Sequence, residues 1–207
     1  DELDGVSQSL VDLTNMVTAS VVKASKAVQS ADLALAEEVI AADVKIDDFQ
    51  HELDARIIDI IARQQPVASD LRALVTAMRM SADLERMGDL AHHIAKVARL
   101  RHPDRAIPEA LLLPFTEMGH VAEKLSIMVS GVITTRDTEM ALQVEKDDDE
   151  MDDLHKKVIS TIINQTSGLS IETAIDLTLL GRYYERYADH AVSVARRVYF
   201  LVTGTFA

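Results

Sequence analysis

The chain has 207 residues, of which 48% are hydrophobic, 4% aromatic and 27% charged, with no cysteine and few glycines or prolines. This composition, dominated by Ala, Leu, Val, Ile, Asp and Glu, points to an all-α protein and excludes disulfides and thiolate metal sites. A formal net charge of −13 argues against binding nucleic acid or anionic membrane through a basic surface, and leaves cations or basic protein surfaces as partners.

Leu10, Leu13, Val17, Val21 and Val28 recur at helical spacing and predict a first helix over 7–29. After a break at Ser30, Asp32 is placed to cap a second helix over 33–63. Its apolar stripe is Ala36, Val39, Ile40, Ile46, Leu53, Ile57 and Ile61. Pro66 ends it, and Ser69 or Asp70 is placed to cap a third helix over 71–100. Residues 101–108, carrying Pro103 and Pro108, read as a linker. A fourth helix is predicted over 109–132, then Thr135 and Asp137 stand where Ser30 and Asp32 stood, and a fifth helix covers 139–164. Thr166, Ser167, Gly168, Leu169 and Ser170 read as a turn, with Ser170 as N-cap of a sixth helix over 171–202, followed by Gly204. No apolar run approaches the roughly 18–20 residues that span a bilayer, so no membrane insertion is expected. With no signal-peptide pattern at the first residues, a cytoplasmic location is expected.

The second three helices repeat the first three. Asp43, Asp47 and Phe49 recur as Asp148, Asp152 and Leu154 at an offset of 105, and Glu85, Arg86 and Asp89 recur as Glu185, Arg186 and Asp189 at an offset of 100. The difference falls in the loop around 64–69. The expected fold is two tandem antiparallel three-helix bundles, residues 1–102 and 108–207, related by a pseudo-two-fold internal repeat.

Each unit carries two carboxylate pairs at i, i+4: Asp43/Asp47 and Glu85/Asp89, then Asp148/Asp152 and Glu185/Asp189. Residues four apart share a helix face. With 34 acids in the chain, about five or six such pairs arise by chance. Recurrence in both halves raises the signal, as does placement on apolar stripes. Leu71, Leu74 and Met78 share a side with Glu85 and Asp89, Ile40 and Ile61 with Asp43 and Asp47, and Val144 and Ile162 with Asp148 and Asp152. On antiparallel neighbours the pairs can meet, giving four carboxylates per patch, a hard-oxygen set suited to divalent cations. The bland alternative is solvated acids paired with Arg86, Arg186, Lys45 or Arg182. Arg86 and Arg186 project about 100° around the helix from Glu85 and Glu185, toward the rim and not the centre. His92 and His155 are candidate ligands or supporting donors, although their counterparts in the other unit are Val192 and Gln50. His93, His102, His120 and His190 read as surface or edge residues. No phosphate loop, thiol nucleophile or serine elbow is present. The two Glu-x-x-His motifs of helix-bundle di-metal oxidases are also missing, since Asp89/His92 and Asp152/His155 use Asp and are not equivalent.

With the repeat and its acidic pairs in place, the chain closely resembles the PhoU family of phosphate-signalling regulators. The resemblance covers nearly the whole chain. It is most specific at Asp70 and Arg72, at 82–89 with Glu85 and Asp89, and at 185–191 with Glu185 and Asp189. It departs at Ser167, Gly168 and Leu169, where the family's Pro-containing turn is absent. The resemblance implies metal at the eight acidic residues, as divalent ions or multinuclear clusters of iron, manganese, magnesium or zinc. It also implies repression of the phosphate-starvation response, peripherally at the membrane, with a phosphate ABC transporter and a sensor histidine kinase as partners. A homodimer stays open. So do three roles: a non-catalytic signalling adaptor, a carboxylate-bridged metal-dependent enzyme, and a helical scaffold with surface acids.

Overall fold

Six α-helices make up the regular structure of the residues described by the computed structural model, 2–164 and 168–205. They are α1 (Glu2–Ser30), α2 (Leu33–Gln64), α3 (Ala68–Arg101), α4 (Glu109–Thr135), α5 (Thr138–Asn164) and α6 (Ile171–Thr203). Thr166 and Ser167 of the expected interhelical turn, and the expected unit ends at Asp1 and Ala207, lie outside the described residues.

The caps follow the sequence with one exception. Asp32 Oδ1 accepts from Leu35 N at 3.0 Å, Asp137 Oδ1 from Glu139 N at 2.9 Å, and Ser170 Oγ from Thr173 N at 3.0 Å. Each satisfies an amide that the first turn of a helix leaves without a partner. Gly204 closes α6 at φ 76, its N–H donating to Phe200 O at 2.8 Å. The exception is α3, which starts before Ser69 and Asp70: its N-cap is Val67, with no side-chain cap bond. Leu71 is correspondingly exposed rather than part of a buried stripe.

Each half packs its own three helices together, α1 with α2 and α3, and α4 with α5 and α6. Across the halves α1 packs on α4 and α3 on α6. The centre is therefore built from α1, α3, α4 and α6, with α2 and α5 laid on the outside. The outer helices bury one stripe each, such as Ala36, Val39, Ile46, Leu53, Ile57 and Ile60 on α2. Buried apolar residues of both halves join in one continuous core.

Polar handles inside that core register the helices. Tyr184 and Tyr187 are fully buried. The Tyr184 hydroxyl donates to Ser25 Oγ of α1 at 2.8 Å, and the Tyr187 hydroxyl shares a 2.6 Å hydrogen bond with Ser126 Oγ of α4. Buried phenols need such partners, and these fix α6 against both α1 and α4. Ser25 also meets Gly119: a Cβ there would stand 3.0 Å from the Ser25 side chain, so α1 and α4 approach closely where α4 has none.

Candidate metal centres

Two glycines set the closeness of the helix pairs that carry the acids. A Cβ at Gly88 on α3 would stand 3.1 Å from Ile46 Cγ2 on α2. Ile46 and Gly88 lie beside Asp47 and Asp89, so this contact brings the first two acidic pairs together. In the second half the close approach moves one to two turns along. A Cβ at Gly181 on α6 would stand 3.1 Å from His155 Cδ2 on α5.

The acids sit at the edge of the buried stripes. Asp43, Asp47, Glu85, Asp89, Asp148, Asp152 and Glu185 are half-buried, and Asp189 is exposed. In the first cluster, burial pushes the Asp43 carboxyl up to about 6, with Asp47 and then Asp89 adding to it against His93 and Lys96. Burial also raises Glu85, helped by Asp47 and Asp89 and opposed by Arg86. In the second, burial pushes Asp148 up to about 7, reinforced by Asp152, Asp189, Asp149 and Glu185. All four predicted carboxylates of each set therefore stand within electrostatic reach of one another, and repulsion and desolvation act in the same direction. Among the described residues no three donors from His, Asp and Glu meet at one point, so grasping one ion calls for side-chain rotation about χ1 and χ2.

Neutralising partners reach the edges of each set. Arg86 pairs with Asp89 and Arg182 with Glu185, each three residues apart on one helix. Arg86 thus reaches further inward than its angular position implies, because the Asp89 side chain leans back over the preceding turn toward it and the long arginine stem can follow the surface. Lys124 of α4 holds Asp147 at 3.0 Å, and Asp149 and Asp153 are exposed. The acidic run 147–153 therefore splits, with Asp148 and Asp152 turned toward α6. No arginine or lysine pairs with Asp43 or Asp148 among the described residues, and the Oδ1 atom of each is buried without a hydrogen-bond partner.

The histidines divide differently from expectation. His92 Nδ1 stands 2.7 Å from Asp43 Oδ2, but off line, so no hydrogen bond forms. Burial, then Lys96, lowers His92 below the ordinary imidazole value and favours a neutral ring beside the site. His155 packs on Gly181. Its counterpart Gln50 turns away from the acidic set and donates to Asp54 Oδ2 at 2.7 Å.

His93 and His190 are not simple surface residues. The His93 ring stacks on Tyr183 at 5.3 Å between centroids, with Nε2 3.4 Å from Asp89 Oδ1. His190 Nδ1 lies 2.9 Å from Asp83 Oδ1, and Asp83 Oδ2 accepts from Ser193 Oγ at 3.0 Å and Arg197 Nε at 2.9 Å. Burial works to raise Asp83, but these bonds outweigh it and hold its carboxyl below the usual range. Asp83 lies among the acids of α3 but has Arg79 and Met87 four residues away, so it belongs to no acidic i, i+4 pair. Its only sequence signal is a charge on the α3 face opposite the one bearing the pairs.

The eight carboxylates have the hard-oxygen donor chemistry that suits a hard cation, although no three of them converge among the described residues. Buried oxygens without partners at Asp43 and Asp148, each ringed by further carboxylates, supply the unsatisfied acceptors that an ion of Mg, Mn or Fe type takes up.

The PhoU domain family matches residues 10–98 and 115–198. A phosphate-specific transport system accessory protein PhoU homolog of Mycobacterium tuberculosis is 42% identical over 206 residues, covering 100% of this chain and 97% of that protein. A PhoU homolog of Rhizobium meliloti is 28% identical, covering 99% and 86%. The crystal structure of PhoU from Pseudomonas aeruginosa superposes with a TM-score of 0.90 at 27% identity, covering 99% of this chain and 98% of that one. That of the phosphate transport system regulatory protein PhoU from Streptococcus pneumoniae gives 0.89 at 26%, covering 100% and 97%.

Proposed function

The chain belongs to the PhoU domain family, and on that premise we propose that it is an accessory regulator of phosphate-specific transport that holds metal at two acidic centres. Its relatives carry names of accessory and regulatory proteins and not of enzymes, which supports an adaptor without catalysis. In this reading it represses the phosphate-starvation response from the cytoplasmic side, bound to a phosphate ABC transporter and a sensor histidine kinase. No helix among the described residues is long and apolar enough to cross a membrane. With a charge of −13, attachment through protein contacts is favoured over anionic lipid.

The observation that carries the metal reading is the matched pair of orphaned oxygens, Asp43 Oδ1 and Asp148 Oδ1, each in a carboxylate cluster with raised protonation. Asp43, Asp47, Glu85 and Asp89 would hold one centre, and Asp148, Asp152, Glu185 and Asp189 the other. A bound cation would supply positive charge at Asp43 and Asp148, with which no arginine or lysine pairs among the described residues. These residues would then tie α2 to α3 and α5 to α6 through that charge. Arg86 and Arg182 hold Asp89 and Glu185 in place at the rim.

Metal content of protein purified without chelator tests this. The double variant Glu85→Gln/Asp89→Asn is expected to lose the first centre's metal and retain the second's, and wild-type protein is expected to melt at higher temperature with metal than without. Full stoichiometry in the double variant would refute the assignment. Co-purification with the transporter and the kinase, compared before and after chelation, tests the adaptor role. Turnover of a phosphate ester or of oxygen that chelators abolish would replace it with the enzyme reading.

A further inference from the structure

A cavity of about 480 Å³ opens where α1 and α3 begin and α4 and α6 end. None of the eight cluster carboxylates lines it. Its walls include Val6, Leu10, Leu74, Ile133, Val198 and Leu201, one or more from each of the four central helices. Its volume lies within the roughly 300–1,000 Å³ of small-molecule pockets.

Two cationic side chains stand at this cavity. Arg72 and Arg136 both line it. Neither makes an ion pair with a carboxylate among the described residues, although acids outnumber Lys and Arg by 34 to 21. Arg63, Arg86, Arg101, Arg105, Arg182, Arg196 and Arg197 are paired, and the other arginines outside an ion pair among the described residues, Arg56, Arg79, Arg99 and Arg186, lie away from this lining. The Arg72 guanidinium is placed over the Phe200 ring, 5.8 Å from its centroid. Arg136 ends α4 in the left-handed region at φ 57, a conformation that side chains rarely adopt. The corresponding turn of the first half carries Ala31 there. The one carboxylate on the lining, Asp70, is matched to the Ser69 hydroxyl at 3.4 Å.

We propose that this cavity binds a single-chain amphiphilic anion, with its alkyl chain among the apolar walls and an anionic oxygen head on Arg72 and Arg136. Guanidinium groups bind carboxylate and phosphate oxygens through paired charge-assisted hydrogen bonds. A seated chain would touch all four central helices and so bridge the two halves.

Calorimetric titration and thermal melting of the full chain with dodecanoate and with dodecyl phosphate, below micelle formation, test the proposal. One saturable site is expected for at least one of the two, with a melting temperature that climbs with ligand concentration. Which probe binds identifies the head as carboxylate or phosphate ester. Dodecanol is expected to bind roughly tenfold more weakly, and dodecyltrimethylammonium not at all. Arg72→Gln/Arg136→Gln changes only exposed side chains and should keep its helicity while losing affinity roughly tenfold or more. Ala73→Phe, at the lining, should abolish binding by filling the space. Equal binding of the cationic probe, full affinity in the arginine double variant, or no saturable binding of either anion would overturn the proposal.

Discussion

Asp43 and Asp148 respond to pH differently from ordinary aspartates. Their carboxyls are pushed from 3.8 up to about 6 and about 7. A folded-state value above the unfolded one means that the folded chain holds the extra proton between the two. Stability from these groups is then full below about pH 4 and is lost as pH rises through 6 and 7. Chelated protein is therefore expected to lose stability from pH 5 to 8 more steeply than Asp148→Asn does. At pH 8 the Asn variant should be the more stable by about 1–2 kcal/mol, after allowance for solvent screening of a half-exposed group. Parallel pH profiles for the two proteins in thermal melts would refute this. Metal bound at the proposed centres would reverse the direction, because ligands must deprotonate to bind. The pairs themselves were legible from the i, i+4 spacing and its recurrence. The unequal burial was not: Asp189 is exposed where Asp89 is half-buried, a difference set by neighbouring helices and not by spacing along one.

At the scale of the element, the decisive contact is α2 on α3 at Gly88. A side chain there meets Ile46 at 3.1 Å and Val17 Cγ2 at 3.5 Å, so it presses on two helices at once. Gly88→Val is expected to destabilise the protein by about 1–3 kcal/mol through overpacking and, by moving α2 off α3, to lower the metal held by the first centre alone. Denaturant unfolding and metal content per chain check both halves of this. A variant with wild-type stability and full metal would show that α2 is not set by Gly88. The helices and most of their caps were readable from periodicity and from Asp32, Asp137 and Ser170. The start of α3 was not, because Val67 offers no capping side chain and the first turn begins ahead of the residues that could cap it.

At the scale of the whole molecule, Asp83 joins α3 of one half to α6 of the other through His190, Ser193 and Arg197. Asp83 is 12% exposed and Arg197 28%, so breaking the set should cost less than a fully buried pair. Asp83→Ala is expected to lower stability by about 2–3 kcal/mol. Because the core is continuous across the halves, that loss should shift one cooperative transition rather than split it, as calorimetry can read. Two resolved transitions would instead indicate that residues 1–102 and 108–207, which we propose as repeated units, unfold independently.

The sequence by itself determined the all-α class, six helices in order, and the two matched series of acids. All of these are carried by composition, by periodicity of 3.6 and by residues a few positions apart. Tertiary structure alone decided how the halves meet. Tyr184 with Ser25 and His190 with Asp83 are 159 and 107 residues apart along the chain. Nothing local distinguishes a tyrosine or histidine that will find a buried partner at that range from one that faces water. The same holds for the cavity between four helix ends, whose apolar walls read in the sequence as ordinary core. What leaves it unfilled is the splay and crossing of packed helices, which depend on contacts summed over the whole molecule.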